Sequence, residues 1–154
     1  MLPNDEKMKL HWKNIFLADD DEDDCEFFAD ALTEINADAK LTAAKNGNEL
    51  MNLLQQNTAS QPDIIFLDLN MPVKNGYQCL EEIRKDETLQ DHVVVIFTTS
   101  SLKEDIDKLY KMGASLFITK PNDFDKLKEV IKKVFSLDVL KERSRPKREN
   151  FVVR

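Results

Sequence analysis

Residues 64–76 read IIFLDLNMPVKNG: four apolar residues, Ile64 to Leu67, then a single acid, Asp68, then a loop punctuated by Pro72 and Gly76. A short apolar run bounded by turn residues is the pattern of a strand covered on both faces of a sheet. Working outward, four further runs share it: IFLA at 15–18, LTAA at 41–44, VVVIF at 93–97 and LFIT at 116–119. LTAA is the least apolar of the five.

Amphipathic stretches separate the runs. Cys25, Phe28, Ala29 and Leu32 recur at helical spacing, as do Leu50, Leu53 and Leu54. Leu80 and Ile83 mark a third helix, and Ile106, Leu109 and Met112 a fourth, which ends at Gly113. Leu127, Val130, Ile131 and Val134 mark a fifth, running to about Leu137. Five strands each followed by a helix, joined by right-handed crossovers, predict an α/β fold: a doubly wound five-stranded parallel sheet with five helices, flavodoxin-like. The packed domain is expected over 14–137. A polar N-terminal extension, 1–13, precedes it, and a basic C-terminal tail, 138–154, broken by Pro146 and expected to be mobile, follows.

The 154 residues suit one domain, and 42% hydrophobic content with 33% charged residues supports a real core. Apolar runs of about five residues fall far short of the roughly 18–20 a membrane helix needs, and no signal-peptide core is present, so the chain is read as cytoplasmic, with no membrane partner. Two cysteines, Cys25 and Cys79, make neither a disulfide framework nor a thiolate zinc site, and are expected to be reduced and buried. Three scattered glycines cannot build a phosphate-cradling or dinucleotide loop, and neither histidine has the context of a nucleophilic triad. The net charge of −7 divides into +4 over 141–154 and −11 over the rest, an acidic body that disfavours direct DNA binding.

In an open parallel sheet the ligand crevice lies at the carboxyl ends of the strands. Those ends carry Asp19-Asp20, Asp68, Thr98-Thr99 and Lys120-Pro121. Three carboxylates converging there repel by roughly 4 kcal/mol per pair at about 4 Å and an effective dielectric near 20, which a cation must offset. With oxygen donors and no imidazole or thiolate, Mg²⁺ is the expected ion. A carboxylate on such an ion, beside an ammonium and a hydroxyl, is equipment for phosphoryl transfer. Asp68, ending the central strand, is the expected nucleophile, and its product an aspartyl phosphate.

Here the sequence resembles the receiver domains of two-component response regulators, over about residues 14–137. The family pattern is an acidic pair after strand one, an acceptor Asp followed by an M-P loop and a Gly after strand three, Thr or Ser after strand four, and Lys-Pro after strand five. It is matched by LADDD, FLDLNMPVKNG, IFTTS and ITKP. The separations of 30 residues from Asp68 to Thr98 and 22 from Thr98 to Lys120 are typical of the family. The resemblance implies that Asp19 and Asp20 hold Mg²⁺ with Asp68 and the Asn70 carbonyl, with Asp20 the favoured direct ligand. It further implies that Asp68 is phosphorylated, that Thr98 and Lys120 contact the phosphoryl group, and that Phe117 is a switch aromatic that turns inward when Thr98 is drawn to the phosphate. A cis Lys120-Pro121 bond is also implied.

The expected function is that of a stand-alone response regulator. A histidine kinase or histidine phosphotransfer protein phosphorylates Asp68, and an unknown downstream protein or a phosphorelay carries the output. No enzymatic activity is expected beyond its own phosphorylation and dephosphorylation. The alternative is a phosphorylation-independent docking module on the same fold. An aspartate-nucleophile phosphatase is disfavoured, because it needs an acid two residues after the nucleophile and that residue is Asn70. Acids at 21–24 are expected to cap a helix and complement its dipole, and an EF-hand starting at Asp19 fails because Asp24 stands where glycine is needed. The tail is read as a solvated end, or as one that docks on an acidic partner or on the paired protomer of a homodimer.

Overall fold

A computed structural model describes residues 11–56 and 61–154. Its five strands are β1 (Asn14–Ala18), β2 (Lys40–Ala44), β3 (Ile64–Leu67), β4 (Val94–Thr98) and β5 (Leu116–Thr119). The helices between and after them are α1 (Glu22–Ile35), α2 (Gly47–Gln55), α3 (Gly76–Lys85), α4 (Lys103–Lys111), α5 (Phe124–Ser136) and a short α6 (Asp138–Lys141). All strand pairs are parallel in the order β2-β1-β3-β4-β5, which places β3 at the centre and the change of winding direction between β1 and β3.

Alternation along each strand divides the core into two layers. Ile15, Leu17, Phe66, Val95 and Phe97 face α1 and α5, whereas Phe16, Ile65, Leu67, Val94 and Ile96 face α2, α3 and α4. Because β1, β3 and β4 are buried on both sides, their sequences are continuous apolar runs. The weak run at 41–44 is the edge strand β2, whose outer residues meet water.

Helix starts are fixed locally. Asp21, Asn46, Asn75 and Asp123 each accept a backbone N–H from three residues on, and Asn75 with Gln78 forms a reciprocal capping box. Two glycines admit close approach. A methyl group on Gly76 would lie 2.2 Å from the Asp68 carbonyl oxygen, and one on Gly47 2.3 Å from the Lys74 carbonyl oxygen.

Both expected ends are packed where they are described. Of the extension 1–13, residues 1–10 lie outside the described residues, but Trp12 is fully buried, stacks on Phe135 and donates its indole N–H to the Phe135 carbonyl. The packed domain does not end at Leu137: packing continues into the tail. Leu140 and Phe151 are fully buried, Phe117 N–H donates to the Phe151 carbonyl, and Val153 N–H donates to the Phe117 carbonyl. The segment thereby pairs with the free edge of β5, a row of backbone groups that otherwise stays open. Arg148 ties it to Asp107 of α4 at 2.6 Å.

Candidate functional site

Parallel strands end together, so the residues that follow them gather at one edge. Asp19 and Asp68 are buried, Asp20 is exposed, and one carboxylate oxygen from each of the three lies within 4.8 Å of the others. Lys120, brought in after β5, reaches across with Nζ 2.7 Å from Asp19 Oδ2, 2.9 Å from Asp24 Oδ2 and 3.1 Å from Asp68 Oδ2. Leu69 N–H donates to Asp68 Oδ1 at 2.8 Å and Asp21 N–H to Asp19 Oδ1 at 3.0 Å, so each carboxylate is held by the loop that follows it.

Thr98, at the end of β4, is fully buried, and its Oγ1 has no hydrogen-bond partner among the described residues. A buried hydroxyl without a partner costs free energy that a phosphoryl oxygen could recover. Asn70 is exposed at the mouth of the site. The loop 70–75 has Val73 at φ 69°, a left-handed conformation that a β-branched residue rarely adopts, with a Lys74 N–H to Pro72 carbonyl bond closing the turn beside it.

Burial pushes the Asp19 carboxyl above its ordinary 3.8, against the lowering effects of Lys120 and the Asp21 amide. For Lys120, burial alone would lower the ammonium's pKa, but hydrogen bonds to Asp19 and Asp24 and the charge of Asp68 outweigh it and raise it above the ordinary lysine value. The ammonium is therefore permanently charged and neutralises part of a cluster that would otherwise repel itself. Burial also raises the Cys25 and Cys79 thiols to about 11, leaving both protonated, with Cys25 only half-buried.

Asp19, Asp20, Asp68, Thr98 and Lys120 thus share one edge. Asp24 joins them through Lys120, a contact that sequence reasoning missed. An acid in the first turn of a helix reads as a dipole partner, and nothing in its spacing points to a lysine 96 residues away. Asp21, by contrast, caps α1 as expected. One expectation is corrected. The Lys120-Pro121 bond is trans, the form an X-Pro bond ordinarily prefers, and Lys120 reaches its three carboxylates from it. Phe117 is fully buried, its ring centroid 6.4 Å from that of Phe151, because the C-terminal segment roofs it over.

A family model described as response regulator receiver domain matches residues 15–132. Response regulator Rcp1 of Synechocystis sp. is 30% identical over 130 residues, covering 82% of this chain and 86% of Rcp1. Its Mn²⁺-bound crystal structure aligns with a TM-score of 0.72 at 28% identity, over 88% of this chain and 99% of that one. The crystal structure of the phosphorylated cyanobacterial phytochrome response regulator RcpA gives 0.73 at 34% identity, over 80% and 91%. The probable transcriptional regulator ycf29 of Pyropia yezoensis is 36% identical over 101 residues, 66% of this chain, which spans only 44% of ycf29. The matched region holds all of the sheet but Asn14, together with the acidic edge just described, and the chain belongs to the response regulator receiver domain family of two-component signalling.

Proposed function

We propose that Asp68 accepts a phosphoryl group from the phosphohistidine of a histidine kinase or a histidine phosphotransfer protein. The observation that carries this is the Lys120 ammonium at 3.1 Å from Asp68 Oδ2, with the buried Thr98 hydroxyl lacking a partner among the described residues. A carboxylate oxygen of Asp68 attacks phosphorus as the bond to the donor imidazole breaks, and the imidazole leaves with its electron pair and takes a proton. Lys120 then moves from carboxylate partner to phosphoryl partner, and Thr98 donates its O–H to a second phosphoryl oxygen.

The donor set fits Mg²⁺, being all oxygen and rich in carboxylate, and Asp19, Asp20, Asp68 and the Asn70 carbonyl would hold the ion. Bound there, Mg²⁺ supplies positive charge to the phosphoryl oxygens. Removal of the phosphoryl group by water returns the acceptor to its starting state. Phosphorylation biases an existing equilibrium of the face formed by β4, β5 and α4, and a downstream protein reads that face, or a relay histidine receives the phosphoryl group.

Beryllofluoride, a phosphoryl mimic, tests this through amide spectra recorded with Mg²⁺. Saturable shifts at Asp68, Thr98 and Lys120 that vanish in Asp68→Asn are expected. Their absence in the native chain would leave the fold as a docking module.

A further inference from the structure

At the opposite, amino-terminal edge of the sheet, a cavity of about 110 Å³ lies among Arg84, His92, Ser115, Arg143 and Arg145, where β4 and β5 begin. Arg84 is half-buried and spends its donors on neutral groups: Nε on the Gly113 carbonyl, Nη1 on the carbonyls of Gln90 and His92, and Nη2 at 3.4 Å from Ser115 Oγ. Arg143 donates from Nη1 to the Asp91 carbonyl, and Arg145 lies 3.8 Å over the Tyr110 ring. Arg148 has Asp107 as its partner, but among the described residues no carboxylate lies within 4.0 Å of Arg84, Arg143 or Arg145. Asp91 also lines the cavity, and its carboxylate, on an exposed residue, is outside that distance too. His92, only 8% exposed, also lines the cavity, with its Nε2 at 3.0 Å from Gln61 Oε1.

The backbone adds an independent observation. Arg143 has φ 54°, at the position where a helix end calls for glycine: Arg143 N–H donates to the Leu140 carbonyl and Ser144 N–H to the Val139 carbonyl, closing α6 in a Schellman motif. An arginine there is strained where glycine is free, and strain kept at one residue points to a use for its side chain. That side chain brings a second guanidinium to a place that already holds one.

We infer that this cavity is a binding site for a tetrahedral oxyanion of the phosphate class. Arg143 and Arg145, exposed and without carboxylate partners, offer donors matched to phosphoryl oxygens, Arg84 adds its positive charge and the remaining N–H of Nη2, and the cavity has room for one such group with a few waters. Two of the three arginines belong to the C-terminal segment and one to α3, so the bound anion bridges segment and body. The site is separate from Asp68, at the other end of the strands.

The test is titration of the full chain with inorganic phosphate at constant ionic strength, followed by the Arg84 Nε–H signal and the amides of Gly113, Ser115 and Ser144. Saturable shifts at these positions are expected, with sulfate competing and acetate not. Arg143→Gly relieves the backbone while removing the guanidinium, so its thermal stability is expected to equal or exceed that of the native chain. Its phosphate affinity is expected to fall about tenfold, the loss of a charge-assisted contact, with Mg²⁺-dependent labelling of Asp68 unchanged. Arg145→Gln, on an exposed residue, is a second variant with the same expected loss. Glycerol 3-phosphate distinguishes the source: affinity equal to phosphate points to an esterified phosphoryl group, and much weaker affinity to the free ion. Non-saturating shifts reproduced by chloride, or undiminished affinity in both variants, would overturn the inference.

Discussion

Lys120 is the residue on which the electrostatics of the acidic edge turn. With Nζ 2.7 Å from Asp19 and 3.1 Å from Asp68, it neutralises carboxylates that an Mg²⁺ ion would also need. Replacing Lys120 with Met removes that competition and removes a donor to the phosphoryl group, two effects of opposite sign. Mg²⁺ is expected to bind Lys120→Met severalfold more tightly in a calorimetric titration. Phosphorylation by acetyl phosphate is expected to slow by about 100-fold, as when an oxyanion donor is lost. Gly76 shows how a residue without chemistry constrains one that has it. Because a methyl group there would press on the Asp68 carbonyl at 2.2 Å, Gly76→Ala is expected to cost about 2 kcal/mol in urea unfolding and to slow labelling of Asp68, although alanine is the better helix former.

Among the elements, the strands were legible because apolar runs covered on both faces leave little ambiguity, and Asp19, Asp68, Thr98 and Lys120 could each be read as the first polar residue after its run. The C-terminal segment was not. Its period fades after Leu137, and Pro146 with many charges reads as a solvated end, yet Leu140, Phe151 and Val153 are spaced to reach the body of the fold. What holds them is the open edge of β5, a feature of the folded sheet that no local pattern announces. Likewise, the contact of Asp24 with Lys120 depends on where α1 starts relative to β5. Phe151→Ala, which deletes a fully buried ring packed against Tyr110 and Phe117, is expected to cost about 3–5 kcal/mol in urea unfolding. A cost near zero would mean that the segment is not docked in solution.

For the whole molecule, charge is divided between the two ends of the sheet: carboxylates gather at the carboxyl edge and guanidiniums at the amino edge, around His92. Burial first, then Arg143 and Arg84, hold the His92 imidazole below its ordinary pKa of 6.5. As pH falls through 6.5 the unfolded chain takes up this proton before the folded chain does, so folding stability is expected to decline below that pH. Asp19, held above 3.8, contributes with the opposite sign and nearer that value. His92→Gln separates the two. Between about pH 7.5 and about pH 5.5, the drop in urea midpoint is expected to be smaller in the variant than in the native chain.

The central claim, that Asp68 is the acceptor of a phosphoryl group at this acidic edge, is tested most directly by incubation with acetyl phosphate and Mg²⁺ followed by intact mass. The native chain is expected to gain one phosphoryl group, to lose it on standing, and to gain none when Mg²⁺ is chelated, while Asp68→Asn gains none under any condition. An adduct that persists in Asp68→Asn, or that forms equally well without Mg²⁺, would contradict the account.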